Sequence, residues 1–204
     1  KGRAIGSTIT LAGVFSGSFP DNPACIKHET FFWNSGAIDL SESMLRIEVM
    51  GFDDDFGMAI AKSQIAASNS LPTKGLAFLS VKDSHKNEIV DLAKKLIKLK
   101  FTLCGTKGTT DIIRKNGMSC RKINKVSSGT PHIVDVLNSK KIALVINTGG
   151  GNSEHRISDA RALRRATLVN KVPYCTNMST AYACLKGIQA LKTKKLTVKS
   201  IQES

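Results

Sequence analysis

From Gly75 onward the chain alternates short apolar runs with longer stretches in which apolar residues recur every three or four positions. "LAFLSV" (76–81) is a strand-length run, and in "HKNEIVDLAKKLIKL" Ile89, Leu92, Leu96 and Leu99 share one helical face. "FTLCG" (101–105) predicts a second strand, and "TTDIIRKNG" a short helix stopped by Gly117. "SCRKIN" then reads as a strand, "HIVDVLNSK" as a helix and "IALVIN" (142–147) as the most apolar strand. "ISDARALRRATLVNK" predicts a helix, "PYCT" a last short strand and "STAYACLKGIQALK" a closing helix. Strands that alternate with helices predict an α/β fold, a doubly wound parallel sheet with helices on both faces.

Upstream the pattern is different. Residues 1–45 are rich in Gly, Ser, Pro and scattered aromatics and show neither a strand nor a helix period. "DFGMAIAKSQIAASN" (54–68) places Phe56, Ile60 and Ile65 at helical spacing behind an Asp-rich start, and "SLPTKG" reads as a linker. Three parts follow: residues 1–47, unassigned and partly irregular; 48–73, a helical lead-in and linker; and 74–204, the α/β domain. The chain does not begin with Met, and we expect it to be a piece of something longer.

Charge sharpens the division. Of the formal +14, residues 1–70 carry −3 and residues 71–204 carry +17. A surplus of that size suits a phosphate-bearing partner or a solvated lysine surface. No aromatic platform interleaves the lysines, which argues against nucleic acid. No apolar run approaches a membrane span, and the basic, semi-apolar opening has no signal-peptidase-like site, so a cytoplasmic protein is expected. The five cysteines have no C-x-x-C spacing and no pairing with the four histidines, which predicts reduced, buried thiols and no metal site.

In an open parallel sheet the binding crevice lies at the carboxyl ends of the strands, where loops feed helix N-termini. Three loops fall on that edge: Ser80 to Lys86, "GTKGTT" (105–110) and "NTGGGN" (147–152). The last two combine Gly with hydroxyl or amide groups, the first supplies serine hydroxyls, and the first two add lysine, a composition suited to phosphate. The alternative for "GTKGTT" is an ordinary turn whose threonines cap a helix. Neither G-x-x-x-x-G-K-[ST] nor a strand-borne G-x-G-x-x-G is present.

"FLSVKDSHK", "GTKGTTDIIRKNG", "INKVSSGTPHIVDVL", "LVINT" and "ALRRATLVNKVPYCTN", in this order and spacing, resemble the carboxy-terminal allosteric domain of the bacterial carbamoyl phosphate synthetase large chain, which has the methylglyoxal-synthase-like fold. "EVMGFDDDFGMAIAKSQIAA" resembles the segment that leads into it. The likeness spans residues 48 to about 192 and departs before Glu48, where this chain reads "SESMLRI"; residues 1–45 do not resemble the synthetase.

The resemblance implies a regulatory domain that binds a nucleoside monophosphate, UMP or IMP, without chemistry of its own. It implies phosphate contacts from Ser80, Lys86, Thr106, Thr109 and Lys125, and base or ribose contacts from Asn147, Thr148 and Gly149. Gly149 stands where the family has a second threonine. Tyr174 and Thr176 match an ornithine site whose other wall lies outside this chain. Lys107 is expected to point into solvent. The implied partners are the synthetase domains and the glutaminase small chain; ATP with Mg or Mn belongs to the full enzyme, and no cofactor to this part. A methylglyoxal synthase acting on dihydroxyacetone phosphate is the alternative. It needs a Gly-Gly-Asp carboxylate base, and the corresponding stretch here, "GTPHIVD", offers only Asp135 in a helix. His132 is expected to cap that helix rather than meet a ligand.

Overall fold

The computed structural model describes residues 8–15, 31–33, 46–149 and 154–197. Its centre is a five-stranded parallel sheet of β4 (Gly75–Ser80), β5 (Phe101–Gly105), β6 (Arg121–Lys122), β7 (Ile142–Asn147) and β8 (Tyr174–Cys175), in the spatial order β6-β5-β4-β7-β8, and it follows β1 to β3, described below. β4 is central; the chain winds outward through β5 and β6, returns, and winds the other way through β7 and β8. The direction reverses beside β4, which makes the carboxyl ends of β4 and β7 the switch point of the sheet.

Alternate side chains of each strand enter opposite faces. Ala77, Leu79, Leu103, Leu144 and Ile146 pack under α2 (Lys86–Lys98), α3 (Lys107–Lys115) and α6 (Met178–Thr193). Phe78, Cys104 and Val145 meet α4 (Ile133–Asn138) and α5 (Glu154–Val169) through Ile133, Leu137, Leu163 and Ala166. Strands apolar on both faces follow from this double cover. In the register of β4 and β5 the backbones approach so closely at Gly105 that a Cβ there would collide with the Leu79 carbonyl oxygen.

The lead-in forms α1 (Phe56–Ala66), N-capped by Asp55, whose carboxylate accepts from the Met58 N–H at 2.8 Å. α1 packs on α6, and Met58, Ala61 and Ala190 are buried together between them. Part of the unassigned segment is also regular, and the lead-in opens as a strand before its helix: β1 (Thr8–Phe15) pairs antiparallel with β2 (Phe31–Trp33) and parallel with β3 (Arg46–Asp53). The local pattern predicted no element there because β1 is specified by pairing with β3, more than thirty residues away, and not by a local period. Elsewhere the differences are at element ends. α3 begins at Lys107 rather than Thr109, and β6 keeps only two residues of "SCRKIN". Cys104, Cys120, Cys175 and Cys184 are buried free thiols, with burial pushing Cys104 up to about 12. Cys25 lies outside the described residues.

Candidate functional site

A cleft of about 640 Å³ opens at the carboxyl ends of β4, β5 and β7. Its innermost polar feature is a cluster of three hydroxyls. Thr106 Oγ1 lies 3.3 Å from Ser80 Oγ and 3.4 Å from Thr109 Oγ1, and Thr109 Oγ1 also accepts from the Val81 N–H at 3.1 Å. Thr106 and Thr109 are buried, so the loop between β5 and α3 is held from beneath. Thr106 occupies the N-cap position of α3 but its side chain makes no cap bond, being turned to Ser80 and Thr109 instead. The threonines of "GTKGTT" therefore do not act as an ordinary helix cap. Without a side-chain cap, the first-turn N–H groups and the positive end of the helix dipole are presented to the cleft.

Lys86 is half-buried, and its Nζ lies 3.9 Å from where a Cβ of Gly108 would be, directly over the α3 N-terminus. The same ammonium is 2.6 Å from Asp83 Oδ1 at the exposed rim. Lys125 enters from the loop after β6. The five residues expected around phosphate, Ser80, Lys86, Thr106, Thr109 and Lys125, thus line one cleft. Lys107 lines it too; exposed as expected, it stands at the mouth rather than away from it.

The other expected residues divide. Asn147 and Gly149 line the cleft, but the Asn147 amide is engaged internally: Nδ2 donates to the Tyr174 hydroxyl at 3.0 Å and Oδ1 accepts from the Gly149 N–H at 3.2 Å. Thr148 is buried outside the lining, with Oγ1 3.0 Å from His85 Nδ1 and its N–H donating to the Ser80 carbonyl at 3.0 Å. Tyr174 is buried behind Asn147 and beside Arg164, and burial pushes its hydroxyl up in pKa, so it stays neutral. Thr176 is exposed. Tyr174 and Thr176 therefore do not form one open face, and the last residues of "NTGGGN" lie outside the described ones. Arg164 has its Nε enclosed, and neither it nor Arg165 forms an ion pair among the described residues.

Asp135, the carboxylate weighed as a base, is the third residue of α4 and exposed; its Oδ2 accepts from the His132 N–H at 2.9 Å. His132 occupies the N-cap position of α4, with Nδ1 3.3 Å from the same oxygen, but its imidazole makes no cap hydrogen bond. No group of three His, Cys, Asp or Glu side chains suited to a metal occurs among the described residues.

A protein-family profile described as "MGS-like domain" matches residues 88–176, the span from α2 to the end of β8. The chain carries an MGS-like domain. Its homologues are carbamoyl phosphate synthase large chains. The large chain of Mesorhizobium japonicum is 40% identical over 206 residues, an alignment that takes in 97% of this chain and 18% of the relative. The large chain of Rhizobium meliloti is 42% identical over 155 residues, covering 76% of this chain and 13% of its own length. A "Carbamoyl phosphate synthase large chain, C-terminal section" from Methanopyrus kandleri is 42% identical over 156 residues, 76% of this chain and 29% of that section. The chain thus spans less than a third of each of these relatives. The Mesorhizobium alignment takes in most of residues 1–47, further than the likeness seen from Glu48 onward. Among solved structures, a methylglyoxal synthase from Elizabethkingia anophelis NUHP1 matches 56% of this chain and 79% of its own, at 20% identity and a TM-score of 0.44.

Sequence reasoning missed several residues of the MGS-like domain's cleft. Phe78, Ile123, Ile133 and Leu163 give it an apolar side; apolar residues inside predicted strands and helices carry no signal that they face a ligand. Asp159 of α5 also lines it, with Oδ2 accepting from Ser127 Oγ at 2.7 Å. His85 was missed as the tie to Thr148, because a lone histidine in a loop carries no signal until the fold brings position 148 to it.

Proposed function

We propose that this chain is the effector-binding, regulatory end of a carbamoyl phosphate synthase large chain, and that its cleft takes a nucleoside monophosphate of the UMP or IMP type. The observation that carries the reading is the cluster of Ser80, Thr106 and Thr109 hydroxyls beside an uncapped helix N-terminus, with the Lys86 ammonium above it. Hydroxyls, free N–H groups and an ammonium on one spot supply donors and positive charge together, a combination matched by a dianion better than by a neutral ligand. Lys125 completes the phosphate position, and the apolar side made by Phe78, Ile123, Ile133 and Leu163 suits a planar base, with Asn147 and Gly149 at its edge.

In this reading the cleft does no chemistry. Asp83 faces Lys86 and Asp159 accepts from Ser127, while Asp135 turns back on its own helix, so among the described residues these carboxylates are engaged rather than free as a base for the dihydroxyacetone phosphate alternative. The signal would pass to synthetase domains that use ATP with Mg or Mn, and to the glutaminase small chain, in an enzyme making carbamoyl phosphate for pyrimidine and arginine biosynthesis in the cytoplasm. Among the described residues no helix is long and apolar enough to cross a membrane. The ornithine-side reading keeps Thr176 as its exposed contact, with Tyr174 behind it. Calorimetric titration of the 204-residue chain with UMP and IMP tests the proposal. Saturable binding below millimolar is expected for at least one, and no heat with either at millimolar ligand refutes it.

A further inference from the structure

At the edge of the sheet opposite the cleft, where helices turn back into strands, the chain presents a row of lysines. Gly75 pairs with Phe101 and Leu76 with Ile142. Lys74 therefore stands level with Lys100 on one side and with Lys140 on the other, one strand spacing, about 4.8 Å, from each. Lys141 follows Lys140 directly, and Lys171 leads into β8, the next strand beyond β7. All five are exposed, and none forms an ion pair among the described residues. Residues 71–75, 97–101, 138–142 and 168–173 contain no Asp or Glu, so nothing in these loops neutralises the row.

The helix dipole accounts for lysine near a helix C-terminus, but not for the backbone that three of these lysines adopt. Lys100, Lys140 and Lys171 have φ of 67°, 56° and 52°, the left-handed conformation that favours glycine. Each lies two residues past the end of its helix, α2, α4 or α5. α3 ends in the same kind of turn, and there the position is Gly117, with φ 77°. Backbone ease alone selects glycine at such a place. Lysine at three of these turns, beside the central strands, sets charge ahead of backbone ease, and strain kept in this way points to a use.

Aliphatic side chains flank the row at both ends. Leu168 and Val169, at the end of α5 beside Lys171, are 49% and 74% exposed, and Ile97, in the last turn of α2 beside Lys100, is 37% exposed. A line of positive charge with exposed apolar groups at its ends complements an extended chain of carboxylates that also carries apolar side chains. A second copy of this chain would bring the same basic edge and be repelled, and a sugar-phosphate backbone has no partner for Leu168 and Val169.

We propose that this amino edge of the sheet docks an acidic polypeptide segment, with carboxylates along the lysine row and aliphatic side chains against Leu168, Val169 and Ile97. The surface is separate from the cleft, and the proposal does not depend on what the cleft binds.

Fluorescence anisotropy on the 204-residue chain tests it, with a labelled peptide of alternating glutamate and leucine, about ten residues long, beside its glutamine–leucine counterpart and a single-stranded oligothymidylate. Saturable binding of the glutamate peptide below about millimolar is expected at low salt, weakening as salt rises, with the glutamine peptide about tenfold weaker or more. In the Lys100→Gly/Lys140→Gly/Lys171→Gly variant, binding should weaken about tenfold, from three exposed ion pairs worth a few-fold each. The thermal midpoint of that variant should hold or rise, because glycine relieves the left-handed backbone. Lys82→Ala/Lys107→Ala/Lys122→Ala removes the same charge from the cleft edge and should leave peptide binding within about threefold of wild type. The proposal is overturned by no saturation with the glutamate peptide, by equal losses in the two triple variants, by a midpoint that falls in the glycine variant, or by oligothymidylate binding more tightly than the peptide through the same three lysines.

Discussion

Thr109 and Thr110 are neighbours in sequence and both fully enclosed, yet their hydroxyls do different work, which makes the pair a sharp test of the site. Thr109 Oγ1 accepts from the Val81 N–H and stands in the cleft cluster, whereas Thr110 Oγ1 donates to the Gly105 carbonyl at 3.0 Å and lies away from the cleft. Thr109→Val keeps the volume but strips the partner from the Val81 N–H, and an orphaned, partly buried donor costs about 1–3 kcal/mol. With a urea slope of about 3 kcal/mol/M, the unfolding midpoint should fall by roughly 0.3 to 1 M. Thr110→Val should cost less, about 1 kcal/mol or under, because the Gly105 carbonyl keeps the Ile123 N–H as a donor at 2.9 Å. Binding should separate the two further. Loss of a hydroxyl donor to a charged phosphate is worth about 1.5–3 kcal/mol, which weakens UMP or IMP binding roughly ten- to a hundredfold in Thr109→Val and leaves Thr110→Val near wild type. Urea denaturation and calorimetry on the two variants decide it. Equal binding losses, or none in Thr109→Val, would show that the hydroxyl cluster is not the phosphate position.

Lys86→Ala should weaken nucleotide binding by about tenfold or more, since it removes the half-buried ammonium over the α3 N-terminus; an unchanged titration would place the anion elsewhere. Tyr174→Phe leaves the Asn147 Nδ2 without its acceptor and should cost about 1–3 kcal/mol in denaturant unfolding; an unshifted midpoint would mean that Asn147 is not held from behind. The Lys194 ammonium, 2.8 Å from Asp55, and the Met58 N–H lower the Asp55 pKa in the folded chain. Its contribution is present above the unfolded carboxylate value of about 3.9 and lost as pH falls through the lower folded value. Asp55→Asn should therefore lower stability at pH 7 and flatten its decline below about pH 4, as measured by thermal unfolding across pH; an unaltered acid profile would refute the coupling.

Much of this protein is local. The central strands could be placed as short apolar runs covered on both faces and the helices by apolar residues recurring near every 3.6 positions, and Asp55 and Gly117 punctuate helix ends through short-range backbone chemistry. The carboxyl edge as the site followed in turn, since alternating strands and helices bring all the strand-to-helix loops to one side. What the tertiary structure decided is the direction and company of each side chain. Thr109 and Thr110 differ only in which side of a helix turn they occupy, and nothing in "GTKGTT" says that one meets Val81 and the other Gly105. Asn147 and Thr148, adjacent polar residues at one strand end, are sent by the strand's alternation to opposite sides, one to Tyr174 and the cleft, the other to His85. β1 shows the same limit at a larger scale, as a strand exists there through a partner at β3 and not through its own pattern. Contacts between residues far apart in the chain arise only when the sheet closes, because the chain's periodicity encodes which face is buried but not what will be packed against it.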